Sequence, residues 1–167
     1  GSYDKTAKIW DLESGKQTLS LQGHVAPIFS VAFSPDGKYL ASAGPDEGQV
    51  YLWDNLGNPL KKFQTDGINE LLFTPDSEGI LVAPRNKAAL LYDLQGKMVR
   101  SYTNDASSVT SVGFSPFSPD SLFILTGGDG IHIRLWDAAY GEAQALESQN
   151  DFNTPAVFNP QFPKLLI

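Results

Sequence analysis

Cysteine is absent from this 167-residue chain. That removes disulfides, thiolate metal sites and a cysteine nucleophile together, and leaves the compartment open. Histidine occurs only at His24 and His132, and methionine only at Met98. No apolar run approaches the roughly 18 residues that a membrane-spanning helix needs, so insertion by such a helix is excluded. Basic residues are the minority: 12 Lys and Arg against 19 Asp and Glu give a net charge of −7. A nucleic-acid partner is therefore not expected, because a phosphate backbone is held by a basic face. Helical patterning is missing too, since no apolar stripe of period 3.6 lasts beyond two turns before Gly or Pro interrupts it. What is present is 15 Gly, 11 Pro and many short apolar runs. Length and composition together predict one all-β domain with a sizeable core.

The chain repeats itself, and the repeat governs any reading of the fold. An aromatic-Asp pair recurs as Trp10-Asp11, Trp53-Asp54, Tyr92-Asp93 and Trp136-Asp137, at spacings of 43, 39 and 44 residues. A second marker precedes three of them: Phe33-Ser34-Pro35-Asp36, Phe73-Thr74-Pro75-Asp76 and Phe114-Ser115-Pro116. A degenerate copy follows at Phe158-Asn159-Pro160-Gln161, and each aromatic-Asp pair has a glycine within four residues, at Gly15, Gly57, Gly96 and Gly141. Each unit reads as four short strands. In the clearest, strands are predicted over 28–33, 39–43, 50–53 and 60–63, with Pro35 pre-setting φ and Gly37 permitting positive φ in the first turn. Apolar residues fall on both parities of several strands, so both sheet faces are expected to be covered.

The run from Gly23-His24 through Phe33-Ser34-Pro35-Asp36-Gly37 to Leu52-Trp53-Asp54 resembles the WD-repeat family, and the resemblance extends over nearly the whole chain. It implies a β-propeller of four-stranded antiparallel blades, about four blade-equivalents here. The expected units are a late half repeat at 1–22, repeats at 23–66, 67–105 (degenerate) and 106–151, and an early half repeat at 152–167. The two halves are complementary in phase. A segment of a larger seven- or eight-bladed ring is the favoured expectation; the halves joining into a closed four-bladed ring is the alternative. An open arc leaves blade faces uncovered and invites self-association, and two copies together can complete an eight-bladed ring.

The resemblance also implies a buried hydrogen-bond network in each blade, made by a His, a Ser or Thr, an Asp and the Trp. One repeat supplies all four as His24, Ser42, Asp46 and Trp53, with one extra residue in the last interval. Another supplies Thr126, Asp129 and Trp136 but has Asp105 in place of the His. The degenerate repeat has Gln64, Val82, Asn86 and Tyr92 there, so packing alone is expected to hold it. The first unit supplies only Asp4 and Trp10. His24 and Asp46 invite a catalytic or metal-binding reading, but satisfying buried polar groups is the better account of them. His132 has no second His or Cys placed to join it in a metal site. Calcium-loop, phosphate-loop and nucleophile-elbow patterns are absent, and no cofactor is expected. The doubled Phe114–Pro119 segment reads as a tolerated loop insertion.

A WD-repeat chain is expected to be a non-enzymatic scaffold for protein or peptide partners. The alternative is a regulatory propeller attached to a signalling enzyme whose catalytic module lies outside this segment. Carried over position by position, the family's contact face falls on Tyr3, Phe29, Asn69, Arg85, Thr110 and Phe152. Phe29 and Phe152 stand equally well as inter-blade core. A catalytic site in the central channel is disfavoured by the scarcity of His and of clustered carboxylates.

Overall fold

The computed structural model describes residues 1–85, 88–103, 109–115, 123–128, 132–138, 140–147, 157–158 and 165–166. The described residues form strands and turns without a helix. A first antiparallel pair consists of β1 (Ala7–Trp10) and β2 (Gln17–Leu21). The first complete sheet follows as β3 (Ser30–Phe33), β4 (Tyr39–Ala43), β5 (Gln49–Asp54) and β6 (Pro59–Gln64). The second holds β7 (Ile68–Phe73), β8 (Gly79–Pro84), β9 (Ala88–Asp93) and β10 (Met98–Thr103). The third holds β11 (Val109–Phe114), β12 (Phe123–Gly128), β13 (His132–Asp137) and β14 (Ala143–Glu147). A last pair is β15 (Val157–Phe158) with β16 (Leu165–Leu166). Each complete sheet is an antiparallel meander, one blade per repeat, and the first strands of successive blades meet one another. β3 begins at Ser30 rather than Ile28, whose N–H turns away to the Ser2 carbonyl.

The two sequence markers are turn chemistry. After each aromatic-Asp pair the glycine adopts positive φ (65° at Gly15, 84° at Gly57, 79° at Gly96, 73° at Gly141) and donates its N–H to the Asp carbonyl. The Asp side chain closes the same turn: the Asp54 carboxylate accepts from the N–H groups of Leu56 and Asn58, and that of Asp93 from Gln95 and Lys97. The Asn58 side-chain amide, reinforced by backbone N–H groups, holds the Asp54 carboxyl below its usual range. In the Phe33–Gly37 turn, Ser34 Oγ donates to Asp36 and accepts from the Tyr39 N–H. That hydroxyl, then the backbone and ammonium of Lys38, lower the Asp36 carboxyl to about 2.

Turn geometry sets the register, and the register aligns one row across every blade. Phe33 pairs with Leu40 and Leu40 with Trp53; Phe73 pairs with Ile80 and Ile80 with Tyr92; Phe114 pairs with Ile124 and Ile124 with Trp136. This row faces the preceding unit. Tyr92 meets Phe63 of the blade before at 5.0 Å, Trp136 meets Tyr102 at 5.7 Å, and Trp53 shares a cluster with Leu21 of β2. Alternate residues face the other way. In β8, Ile80 and Val82 pack towards the first blade while Leu81 and Ala83 pack towards the third, so every residue of Gly79–Pro84 is buried. A sheet with two apolar faces needs a neighbour on each side.

Inter-blade hydrogen bonds reinforce the packing. The Leu71 N–H donates to Ser30 Oγ at 3.0 Å, and the Val112 N–H donates to Glu70 Oε2 at 2.9 Å. Ser30 and Glu70 hold equivalent places in β3 and β7, so the first strands of the first and second blades each cap a backbone donor of the next blade. Backbones also approach closely at Gly44 and Gly67, where a Cβ would lie 2.0 Å from the carbonyl oxygens of Pro27 and Pro45.

Candidate interaction face and the network beneath it

Within the first blade, His24 lies on the loop into β3, Ser42 on β4 and Trp53 on β5. Trp53 Nε1 donates to Ser42 Oγ at 2.9 Å, and Ser42 Oγ stands 2.8 Å from His24 Nε2. His24 Nδ1 reaches a carboxylate at 2.6 Å, but it belongs to Glu47, not to the expected Asp46. Glu47 stands six residues before Trp53 and points inward with its side chain 5% exposed, whereas Asp46 faces solvent. Tyr51 completes the cluster: its hydroxyl donates to the second oxygen of Glu47, and its ring stacks on His24 with centroids 3.8 Å apart. Lys62 Nζ covers that ring at 4.3 Å, a cation–π contact.

In the chain from Trp53 through Ser42 and His24 to Glu47, each donor has one acceptor when His24 is neutral. The Trp53 N–H then points to Ser42, the Ser42 hydroxyl to His24 Nε2, and the His24 Nδ1–H to Glu47. Burial lowers the His24 pKa from its ordinary value, and the Glu47 carboxylate opposes that shift only in part. Burial, then the hydrogen bond to Glu47, pushes the Tyr51 hydroxyl up to about 12. A serine, a histidine and a carboxylate in line have the connectivity of a nucleophile relay. Here Ser42 is 1% exposed and its oxygen is engaged on both sides, so the chain of bonds braces a loop against a sheet.

The other units depart from this pattern in different ways. In the third blade Trp136 Nε1 donates to Thr126 Oγ at 2.9 Å, with Thr126 fully buried; Asp105 and Asp129 lie outside the described residues. In the second, Val82 and Tyr92 are buried without such a bond, and the Gln64 amide turns instead to the carbonyls of Gly48 and Thr65; Asn86 is not among the described residues. In the first pair Asp4 and Trp10 do not come together. Asp4 accepts from the Thr6 hydroxyl and the Lys8 ammonium, which hold its carboxyl well below the usual range, and Trp10 is 55% exposed.

Backbone bonds bring one set of loops to a single face. Ile28 donates to Ser2, Ile68 to Gly44 and Arg85 to Gly67, linking the first turn, the loop into β3, the β4–β5 turn, the loop into β7 and the end of β8. On this face Tyr3 and Phe29 are exposed and in ring contact at 5.4 Å. Arg85 is exposed too, 3.6 Å from Asp46. Val25, which sequence reasoning missed, stands 71% exposed immediately after the anchored His24. Asn69 is half-buried and donates its side-chain amide to the Val109 carbonyl of the next blade. Thr110 is half-buried in β11. Phe152 and the insertion at 116–119 lie outside the described residues, as does the side chain of His132. Among the described residues no three His, Asp or Glu gather as a metal site, and no helix is long and apolar enough to cross a membrane.

Known proteins share this repeat. The WD40 family (WD domain, G-beta repeat) matches residues 15–54 and 96–137. Coronin-7 of Rattus norvegicus is 52% identical over 165 residues, covering 92% of this chain and 18% of its own length. The small ribosomal subunit protein RACK1y of Oryza sativa subsp. japonica is 36% identical over 146 residues, covering 81% of this chain and 42% of its own. The transcriptional corepressor LEUNIG_HOMOLOG of Arabidopsis thaliana is 27% identical over 171 residues, covering 99% of this chain and 21% of its own. The chain thus spans between 18% and 42% of the length of these three relatives, none of which is named for a catalytic activity. Matched repeats, blade topology and the recurring aromatic-Asp turn agree: the chain belongs to the WD-repeat family.

Proposed function

We propose that this chain is a non-enzymatic docking module that holds a protein or peptide partner on the face bearing Tyr3, Val25, Phe29 and Arg85. The observation that carries the reading is the Tyr3–Phe29 ring pair, 78% and 51% exposed on loops whose backbones are fixed. Aromatic residues and arginine supply most of the energy at protein interfaces, and a preordered loop loses little entropy on binding. The network beneath adds support, since His24 and Glu47 anchor the loop that presents Val25 and Phe29. The non-enzymatic part rests on the sealing of Ser42. The acidic balance of −7 favours protein over nucleic acid as partner.

Affinity capture with the chain and its Tyr3→Ala/Phe29→Ala variant tests this reading, with Leu12→Ala, at an exposed turn tip, as control. Polypeptides retained by the wild type and the control and lost at least tenfold from the double variant support it. An identical retained set, with the double variant's circular dichroism unchanged, contradicts it.

A further inference from the structure

The first two blades differ at the turn that carries the Phe marker. In the first, Asp36 Oδ1 accepts from the Ser34 hydroxyl and the Lys38 N–H, and Oδ2 takes the Lys38 ammonium at 3.0 Å. The next residue, Tyr39, packs its side chain against the core shared with the second blade. The second blade keeps the turn and changes both of those residues. Asp76 Oδ1 accepts from the Thr74 hydroxyl and the Glu78 N–H in the same way, but Glu78 stands in the place of Lys38 and Gly79 in that of Tyr39. A carboxylate thus replaces the ammonium, and a hydrogen replaces the ring. The following Asp turn diverges as well. Asp54 Oδ2 receives the Asn58 side-chain amide, whereas Lys97, at the equivalent position, gives Asp93 its backbone N–H.

An open recess of about 240 Å³ lies at this place in the second blade. Thr74, Leu91 and Val99 wall it, and Asp76, Glu78 and Asp93 line it with carboxylates. Among the described residues no Lys, Arg or His forms an ion pair with any of the three. Position 79 cannot fill the recess as Tyr39 does in the first blade, because a Cβ there would lie 2.9 Å from the Tyr92 carbonyl oxygen. Apolar walls beside carboxylates suit a side chain with an apolar stem and a cationic tip. We infer that the recess is a second docking point, which takes a lysine side chain from a protein partner. The stem lies against Leu91 and Val99, and the ammonium meets Asp76 Oδ2 as the Lys38 ammonium meets Asp36 Oδ2. The net charge of −7 draws such a partner in. Gly79 pairs with Asp93 at one end of β8, and Arg85 follows the other end, so this point and the Tyr3–Phe29 face are at opposite ends of the blades. Either reading can fail without the other.

Amide NMR of the full chain, titrated with the capped tripeptide acetyl-Ala-Lys-Ala-amide, tests the inference. Shifts should concentrate at 74–79, 91–93 and 99. The same tripeptide with norleucine in place of lysine keeps most of the stem and loses the ammonium, and should bind about tenfold more weakly or worse. Glu78→Lys gives the second blade the residue that the first has at this turn. It should lower lysine-peptide binding by about tenfold or more, with unchanged circular dichroism, because the chain's own ammonium then occupies Asp76. Glu78→Gln removes one charge without supplying a competitor, and should weaken binding less than Glu78→Lys does. Absence of localised shifts, shifts spread evenly over the Asp turns of all the blades, equal binding of the two peptides, or wild-type binding by both variants would overturn the inference.

Discussion

Trp10 and Trp53 precede the same Asp turn, yet one is 55% exposed and the other 2%. Their turns are alike: Gly15 and Gly57 both sit at positive φ and donate to the Asp carbonyl. What differs is the surroundings. Trp53 has β4 alongside, with Ser42 to accept its indole N–H, and β2 of the preceding unit across its face. Trp10 has neither among the described residues. The aromatic-Asp marker therefore specifies a hairpin turn, while burial of the aromatic comes from a neighbouring strand and a neighbouring unit. A blade is a local object in its turns and a cooperative one in its core.

Substitution costs most where a strand is covered on both faces. Leu81→Ala, in fully buried β8, should cost about 2–5 kcal/mol in urea unfolding, while Leu12→Ala, exposed at the first pair's turn, should stay within about 0.5 kcal/mol. Similar losses for both would mean that the second blade is no better supported than the first pair. Ser42→Ala comes next. It leaves Trp53 Nε1 and His24 Nε2 without their partner, a cost of about 1–3 kcal/mol. Val82→Ser, at the equivalent place in the second blade, should destabilise rather than repair, because no His stands there to accept from the hydroxyl and no Trp to donate to it.

A smaller effect follows from His24. Its folded-state pKa lies below the ordinary 6.5, so the unfolded chain takes up a proton that the folded chain resists. The contribution is fully present above about pH 6.5 and is lost as pH falls towards the folded value. Protonation also reverses the His24–Ser42 bond and leaves the Ser42 hydroxyl proton without its acceptor. Thermal melts between about pH 7 and pH 5 should fall more steeply for the wild type than for His24→Gln; equal slopes would remove His24 from the acid response. The smallest change in stability is expected at Tyr3→Ala, within about 0.5 kcal/mol by thermal denaturation, because the side chain lies outside the core.

Turns and strands were readable from the sequence because they rest on contacts between near neighbours. The Asp and Gly after each aromatic act within five residues, and the expected strand 39–43 matches β4 residue for residue. The buried carboxylate was misread because Asp46 has the family's side chain and Glu47 does not. Spacing does not separate the two, since Asp4 and Glu47 stand six residues before their Trp, and Asp46 and Asp129 stand seven. The longer Glu side chain still reaches His24, and leaves Asp46 outside to meet Arg85. Face contacts such as Tyr3–Phe29 join residues far apart in sequence, so periodicity carries no trace of them. Val25 was invisible for a related reason, because a valine beside a buried histidine gives no sign of facing solvent.

Trp53 and Trp136 are buried and hydrogen-bonded across strands of their own blades, and the blade core depends on it. Exchange of the indole N–H protons with solvent, followed by NMR in the wild type, Ser42→Ala and Thr126→Val, tests this directly. Slow exchange at Trp53 and Trp136 is predicted, with Ser42→Ala releasing Trp53 alone and Thr126→Val releasing Trp136 alone. Indole protons that exchange equally fast in the wild type, or that ignore both substitutions, would contradict it.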